Sequence, residues 1–568
     1  MFVRAATRRN KDGTAVRYLQ LVHNEWDPAA KSAKMRVLHN FGREDQLDKA
    51  AIERLAGSLC RLLDPDRAAA LQAGSGLAYQ GSVAYGGPWL LDQLWQRLGI
   101  GAILTGQLSK TRRDTCTERV LFALVANRAL DPSSKLAAAH WVGRKAWIEG
   151  LPQTTDDACY RAMDWLHQVR GAVEKEIFHQ VAAALGLEVD LLFFDTTSTY
   201  FELDGEDEPV PRDKHGHVTG DEQQAAGGRP GGFRAYGHSK DHRDDLPQIV
   251  IGMAVTRDGI PVRVWCWPGD TADATLIRQV KDEMRDWTLS QIVWVADRGF
   301  ASAGNRRFLR SGDHHYILGE KLRSGSAEAD AALSRQGRYQ EVAANLRVKE
   351  VRIAEHERFV ICYNPEAAER DAAVRARLLA QLGEMIKDSD KRTKTKRAEL
   401  RGVISTKPGL NRYLRVTPGG LLRIDAAAVK AEENLDGKYL LRTSDPTLPA
   451  EDIALGYKQL LEVERGWRDL KQVIDLRPVY HRKEQRIRAH VILCWLALLL
   501  IRIAETTTGT TWATIADELD LLTLGTFTGP AGTFRQTAEL TKTQRDLLAK
   551  LKIAHPKKII EAAPAAAS

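Results

Sequence analysis

The chain has 568 residues, 43% hydrophobic and 27% charged, which excludes a disordered or fibrous protein and allows three or four domains with a large core. A net charge of +8 and a pI near 9.0 point towards a polyanionic partner such as nucleic acid. Six scattered cysteines with no CxxC pair argue against a structural zinc site or a disulfide framework, and so for a reducing cytoplasm.

The N-terminus, MFVRAATRRNKDG, carries no apolar signal segment. Residues 1–75 form a small basic unit. TAVRYLQLVHNEW and AKMRVLHNFG alternate like two strands, and a helix with apolar Ile52, Leu55, Leu59 and Leu62 is expected to follow. Residues 76–185 read as helical, a region expected to help bind DNA ends.

From 186 to 320 the period changes to strands: LEVDLLFFD, PQIVIGMAVT and PVRVWCWPG, then a helix, QIVWVAD, a short helix and HHYILGE. This β-β-β-α-β-α-β order predicts a mixed α/β layer fold. Residues 321–440 read as a β-rich insertion that mixes the short β-like runs RFVICYN, YLRVTP and LLRID with a charged helical stretch, and 441–510 return to the core with one long helix over 452–472. The apolar run VILCWLALLLI at 491–501 is too short for a bilayer, which needs roughly 20 residues. It is expected to be a buried core helix, so no membrane partner is expected. Residues 511–568 end in a basic, low-complexity tail expected to be disordered.

Two acids end apolar strands. Asp195 follows LLFF and Asp297 follows IVWVA. Strands side by side in one sheet would bring these carboxylates together, where like charges repel unless a cation neutralises them. Oxygen ligands select Mg2+ or Mn2+. Two such ions about 3.5–4 Å apart activate an attacking oxygen and stabilise a leaving one, as phosphodiester chemistry needs. Glu464 offers a third acid, seven residues from both Tyr457 and Lys471 and so on their helical face. Lys471 is a candidate phosphate contact, and Tyr457 can stack or hydrogen-bond near a cleaved end. Lys240 and Arg243 in GHSKDHRDD, Arg298 after Asp297, and Arg468 are further candidate DNA contacts.

These blocks resemble the bacterial insertion-sequence DDE transposases, in the branch whose last acid lies in a Tyr-x2-Arg-x3-Glu-x6-Lys signature. The motifs FFDTTS, GHSKDHRDDLPQIVIGMAV, GDTAD, VADRGF and YKQLLEVERGWRDLK occur in that order; Leu460 stands at the signature arginine position. The resemblance implies a ribonuclease-H-like core with Asp195, Asp297 and Glu464 as its triad. It implies cleavage at an element's inverted-repeat ends with two Mg2+ ions, Mn2+ substituting, and attack of the freed 3′-hydroxyl on target DNA. It also implies a homodimer on paired ends. Relatives often use an insertion-domain tryptophan near a flipped base. None occurs in 321–440, where Tyr339, Phe359, Tyr363 or Tyr413 can stack instead.

Plainer readings stand beside these. Asp195 can be a turn residue, Asp297 a cap for a helix near Ser302, and Glu464 a solvated helix acid with Glu462 as its competitor. The rival functions are a stand-alone nuclease on the same core and a non-catalytic DNA-binding protein derived from a transposase.

Overall fold

The computed structural model describes residues 2–9, 15–27, 32–47, 77–187, 189–213, 215–219, 228, 230–287, 292–323, 326–354, 357–529 and 532–564. The helix expected around Ile52–Leu62 lies outside them. The chain divides into two compact units. One comprises Met1–Ser82, Gly525–Gln536 and Lys558–Ser568; the other comprises Val83–Leu524 and Thr537–Lys557.

The first unit opens with β1 (Phe2–Arg9), β2 (Ala15–Asp27) and β3 (Ser32–Arg43), an antiparallel sheet with β2 in the middle. The sequence pattern gives β2 and β3. β1 adds to them because FVRAATRR pairs residue for residue with β2, Val3 opposite Leu21. β4 (Ala78–Ala84) is the edge strand of a second sheet.

The other unit is built on a nine-stranded mixed sheet. Its first half is β5 (Leu191–Tyr200), β6 (Gln248–Val255), β7 (Pro261–Pro268), β8 (Val293–Ala296) and β9 (His315–Glu320). These five lie in the order β9-β8-β5-β6-β7. β5, β8 and β9 run parallel, while β6 and β7 form an antiparallel meander off β5. The β-β-β-α-β-α-β reading of 187–320 therefore matches the observed elements.

Residues 321–440 differ from the β-rich insertion expected there. β10 (Gln340–Ala343), β11 (Leu346–Ala354) and β12 (Glu357–Tyr363) join the central sheet through β15 (Lys438–Thr443), extending its order to β10-β11-β12-β15-β9. What lies between β12 and β15 is mainly helical: Pro365–Ile386, Lys394–Ser405 and Ala426–Glu433, with only the short pair β13 (Leu414–Val416) and β14 (Leu422–Ile424). The continuous apolar run in RFVICYN marks a strand, but nothing local tells a strand which sheet it will join.

Two helical layers sandwich the sheet. Side chains alternate across β5, so Leu191 and Phe193 enter one core while Leu192 and Phe194 enter the other. The first core holds helices Gly86–Arg97, Thr117–Leu130, Asp156–Leu185, Leu461–Gln472 and Glu484–Thr508. The second holds Asp273–Glu283 and Leu309 of helix Ala303–Leu309. Helix Asp156–Leu185 starts where the Thr155 side chain accepts from the Ala158 amide, and stops at left-handed Gly186. Helix Glu484–Thr508 is long and apolar enough to cross a bilayer, yet its apolar window is wholly buried in protein. It is the core helix its sequence suggests.

The second sheet is completed by β16 (Thr523–Gly529), β17 (Gly532–Thr537) and β18 (Ile559–Pro564), in the order β18-β17-β16-β4. The tail read as disordered thus supplies a strand, because Ile559 to Pro564 pair antiparallel with β17.

Candidate active site

The register fixes where the two aspartates lie. Phe194 pairs with Ala296 in the parallel β5–β8 ladder, and each strand's next residue is the acid. Neighbouring strands lie about 4.8 Å apart, so Asp195 and Asp297 stand side by side. Asp297 follows the end of β8 as expected, but β5 does not end at Asp195: it runs on, buried, through Thr199 to Tyr200, because it keeps pairing with β6. The parity of the two acids follows Phe193 and Val295, both in the first core. Both carboxylates therefore belong to the face covered by helix Leu461–Gln472, which carries Glu464.

That helix is held firmly. Val463, Trp467 and Leu470 are buried in the first core. Gly466 lets it approach β6 closely, since a Cβ there would stand 2.6 Å from Met253 Cε. Buried Arg502 on the neighbouring helix pairs with Asp469 at 3.2 Å and Glu505 at 3.1 Å. Breaking such a buried pair costs about 3–5 kcal/mol. Glu464 itself is exposed, and Glu462 turns away towards the Gly259 turn and Arg465.

The single helix expected over 452–472 is two, Ala450–Lys458 and Leu461–Gln472, joined through i→i−3 bonds such as Leu460 N to Tyr457 O. Tyr457 keeps its place at the site across this junction. Burial holds its phenol protonated well above the usual tyrosine range, and the charges of Asp297, Asp195 and Glu464 add to that. Its ring stacks on Tyr439 at 6.2 Å. Leu460, at the signature arginine position, packs its side chain against the first core.

Asp195 is 22% exposed. Burial raises its pKa above the ordinary aspartate value; Lys240 opposes the shift, and Asp297 and Asp273 reinforce it. Asp297 is exposed and accepts from the Arg298 amide, capping the 3-10 turn Arg298–Phe300. It does not cap the following helix, whose N-cap is Ser302.

The candidate DNA contacts divide into two groups. Arg298 and Arg468 are exposed. Lys471 instead meets Asp241 at 2.9 Å, an acid that Arg477 also holds at 3.2 Å. Arg243 forms a two-pronged pair with Asp245, both bonds 2.8 Å, over the Tyr200 ring. Lys240 binds Thr196 and Asp273. Of the aromatics considered for base stacking, Phe359 and Tyr413 are buried in cores, while Tyr339 and Tyr363 pack on each other at 5.9 Å.

Gly319, Asp273 and Asp241 belong to this neighbourhood; the two acids lie in the motifs GDTAD and GHSKDHRDD, but nothing local gives either a role. Gly319 in β9 reads as a weak point of an apolar strand. Its role is spatial: a Cβ there would stand 2.5 Å from Tyr457 Oη and 3.3 Å from the Arg298 amide nitrogen. Gly319→Ala is therefore expected to displace the tyrosine and cost about 1–3 kcal/mol of stability. Cleavage should fall up to about a hundredfold, the effect of a misplacement near 1 Å. Urea unfolding and the cleavage rate measure the two together; an unchanged rate would mean that Tyr457 is not needed where it stands.

Among the described residues, no three His, Cys, Asp or Glu side chains stand close enough to share a metal ion. The donor chemistry nevertheless fits one. Asp195, Asp297 and Glu464 offer only carboxylate oxygens, which select hard divalent cations. A cation, the Lys240 ammonium, already stands 3.9 Å from Asp195 Oδ1.

Comparison with known proteins decides the family. The transposase DDE domain model matches residues 210–500, just over half of the chain. The chain belongs to the transposase DDE-domain family. The model of the IS1634 family transposase N-terminal domain matches residues 3–69. Asp297 and Glu464 fall inside the DDE match; Asp195 lies upstream of it, so its place at the site rests on the β5–β8 register. No curated protein matches the chain. Among solved structures, a piggyBac transposase synaptic complex with hairpin DNA is similar at 11% identity and a TM-score of 0.35, covering 76% of this chain and 79% of that one. Membership makes the chain a transposase of a DNA-binding, nucleic-acid-cleaving family that generally uses divalent metal ions.

Proposed function

We propose that this transposase binds the inverted-repeat ends of an insertion sequence, cleaves them, and joins the 3′-hydroxyl ends to target DNA by phosphoryl transfer. The observation that carries this reading is the placement of Asp195, midway along β5, beside Asp297, just past the end of parallel β8, on the face covered by the Glu464 helix. The order β9-β8-β5-β6-β7 fits a ribonuclease-H-like core.

Asp195, Asp297 and Glu464 would hold two Mg2+ or Mn2+ ions, which supply an activated attacking oxygen and charge stabilisation at the leaving one. The remaining work falls to the chain's own groups. Tyr457, kept protonated, offers a hydroxyl donor beside Asp297 and the Arg298 amide. Exposed Arg298 and Arg468 face solvent and are free to take phosphates. Lys471 and Arg243 reach phosphate by exchanging Asp241 and Asp245 for it, so their contribution is an exchange of partners. The basic N-terminal unit adds sequence-independent attraction to the ends, and two copies bring paired ends together in the assembled complex.

The test uses a labelled DNA fragment carrying the gene's own flanks, incubated with the full chain and Mg2+. Site-specific cuts followed by strand transfer, both lost in Asp195→Asn, are expected. Cuts without joining would favour a stand-alone nuclease. Binding with no cutting by either protein would favour a non-catalytic DNA-binding protein.

A further inference from the structure

The segment GDTAD (269–273) supplies an acid that the reaction above leaves without a role. Asp273 opens helix Asp273–Glu283, in the layer opposite the one that carries Glu464. Its Oδ2 lies 3.1 Å from Lys240 Nζ. The same ammonium donates to the carbonyl and to the hydroxyl of Thr196, each at 2.6 Å, and stays 3.9 Å from Asp195 Oδ1.

Strand alternation accounts for this arrangement. Along β5, Asp195 shares the parity of Phe193 and faces the Glu464 layer, whereas Thr196 shares the parity of Phe194 and faces the Asp273 layer. The ammonium sits at the rim between the two, nearer to Asp273. The backbone beneath it is fixed: the Lys240 amide donates to Ser198 Oγ at 2.9 Å, the Ser239 amide to Asp244 at 2.7 Å, and Asp241 is gripped by Lys471 and Arg477. The side chain of Lys240, bonded to Thr196, lies within reach of two carboxylates.

We propose that Asp273 is a positioning residue: it parks Lys240 on the far side of the rim, off the Asp195–Asp297 pair, so that those oxygens stay open to a divalent cation. At 3.9 Å the ammonium still screens the repulsion between the paired aspartates without covering them. Without the Asp273 charge, Asp195 becomes the nearest carboxylate, and Lys240 crosses the rim to pair with it. A lysine paired directly with Asp195 competes with the metal. The inference rests on Asp195 and Asp297 being the carboxylate pair of the proposed function.

The experiment follows free Mn2+ by electron paramagnetic resonance during titration of the full-length chain, with thermal unfolding as a check on folding. Asp273→Asn is expected to weaken Mn2+ binding about tenfold, the effect of losing a group that positions a metal ligand. Lys240→Gln added to Asp273→Asn is expected to restore binding, because the competing ammonium is gone. Unchanged binding in folded Asp273→Asn overturns the inference. So does weakening that Lys240→Gln fails to rescue, since Asp273 would then act without Lys240. Asp195→Asn runs alongside: if it binds Mn2+ like the parent chain, the carboxylate-pair reading itself fails. If it loses binding while Asp273→Asn does not, only the role of Asp273 fails.

Discussion

Glu464→Gln is expected to lower metal-dependent cleavage of element ends by at least about 10³-fold, because stabilising the charge on a transferring phosphoryl group is worth several kcal/mol. The same change should move thermal stability by less than about 0.5 kcal/mol, since it alters an exposed side chain outside the core. That contrast makes the result decisive. The helix around Glu464 is anchored by Trp467, Leu470, Gly466 and the Arg502–Asp469 pair, none of which the substitution touches. A loss of activity with an unchanged unfolding midpoint therefore reports chemistry and not folding. Cleavage retained within about tenfold would remove Glu464 from the site. Glu462→Gln is the matching control: its carboxylate lies by Gly259 and Arg465, so it should leave cleavage unchanged.

Much of the framework of this candidate site was legible in the sequence because it is local and apolar. LLFF and VWVA are continuous apolar runs, the mark of strands buried on both faces, and each is followed by an acid, although β5 stays buried for four residues beyond Asp195. The seven-residue spacing of Tyr457, Glu464 and Lys471 was read on one continuous helix, whereas the winding changes at Gln459–Leu460, between Tyr457 and the other two. What stayed hidden depends on partners distant in the chain. Lys471 reads as a free cation, yet its acid, Asp241, lies 230 positions earlier. Asp273 reads as an ordinary acid in the first turn of a helix, where the dipole favours it in any protein. Gly319 matters only because Tyr457 arrives from another element. The strands of 340–363 show their periodicity in sequence, but their addition to the central sheet is a choice of neighbour made across the fold.

Acidification should unfold this protein through a cationic cluster in the helical layer. His481 and His490, their rings 5.4 Å apart, lie buried near Lys135 and Arg128. Burial depresses both histidines, and the charges of Lys135 and Arg128 depress them further. His481 falls to about 3, with Arg486 lowering it and Asp164 opposing. His490 Nε2 meets the Leu476 carbonyl at 3.2 Å, while its Nδ1 is buried without a partner, so a second ring proton has nowhere to donate. Because the folded values are lowered, the unfolded chain binds more protons, and stability rises with pH. The His481 contribution is complete above about 6.5, the ordinary histidine value, and is lost as pH falls from there towards 3; His490 acts in the same direction. His481 loses about 1.4 kcal/mol per pH unit across that window. Lys135, lowered to about 7, acts with the same sign at higher pH: its penalty is full below 7 and is relieved as pH rises towards 10.5. Glu174 opposes the histidines, since burial raises it to about 7 and its protonation favours the folded state as pH falls towards 4.5. The decisive readout is therefore a difference. Unfolding free energies from urea titrations between about pH 7 and about pH 5 should drop less steeply in His481→Gln than in the parent chain, by about 1.4 kcal/mol per unit. Parallel curves would mean that His481 takes up its proton without leaving the fold.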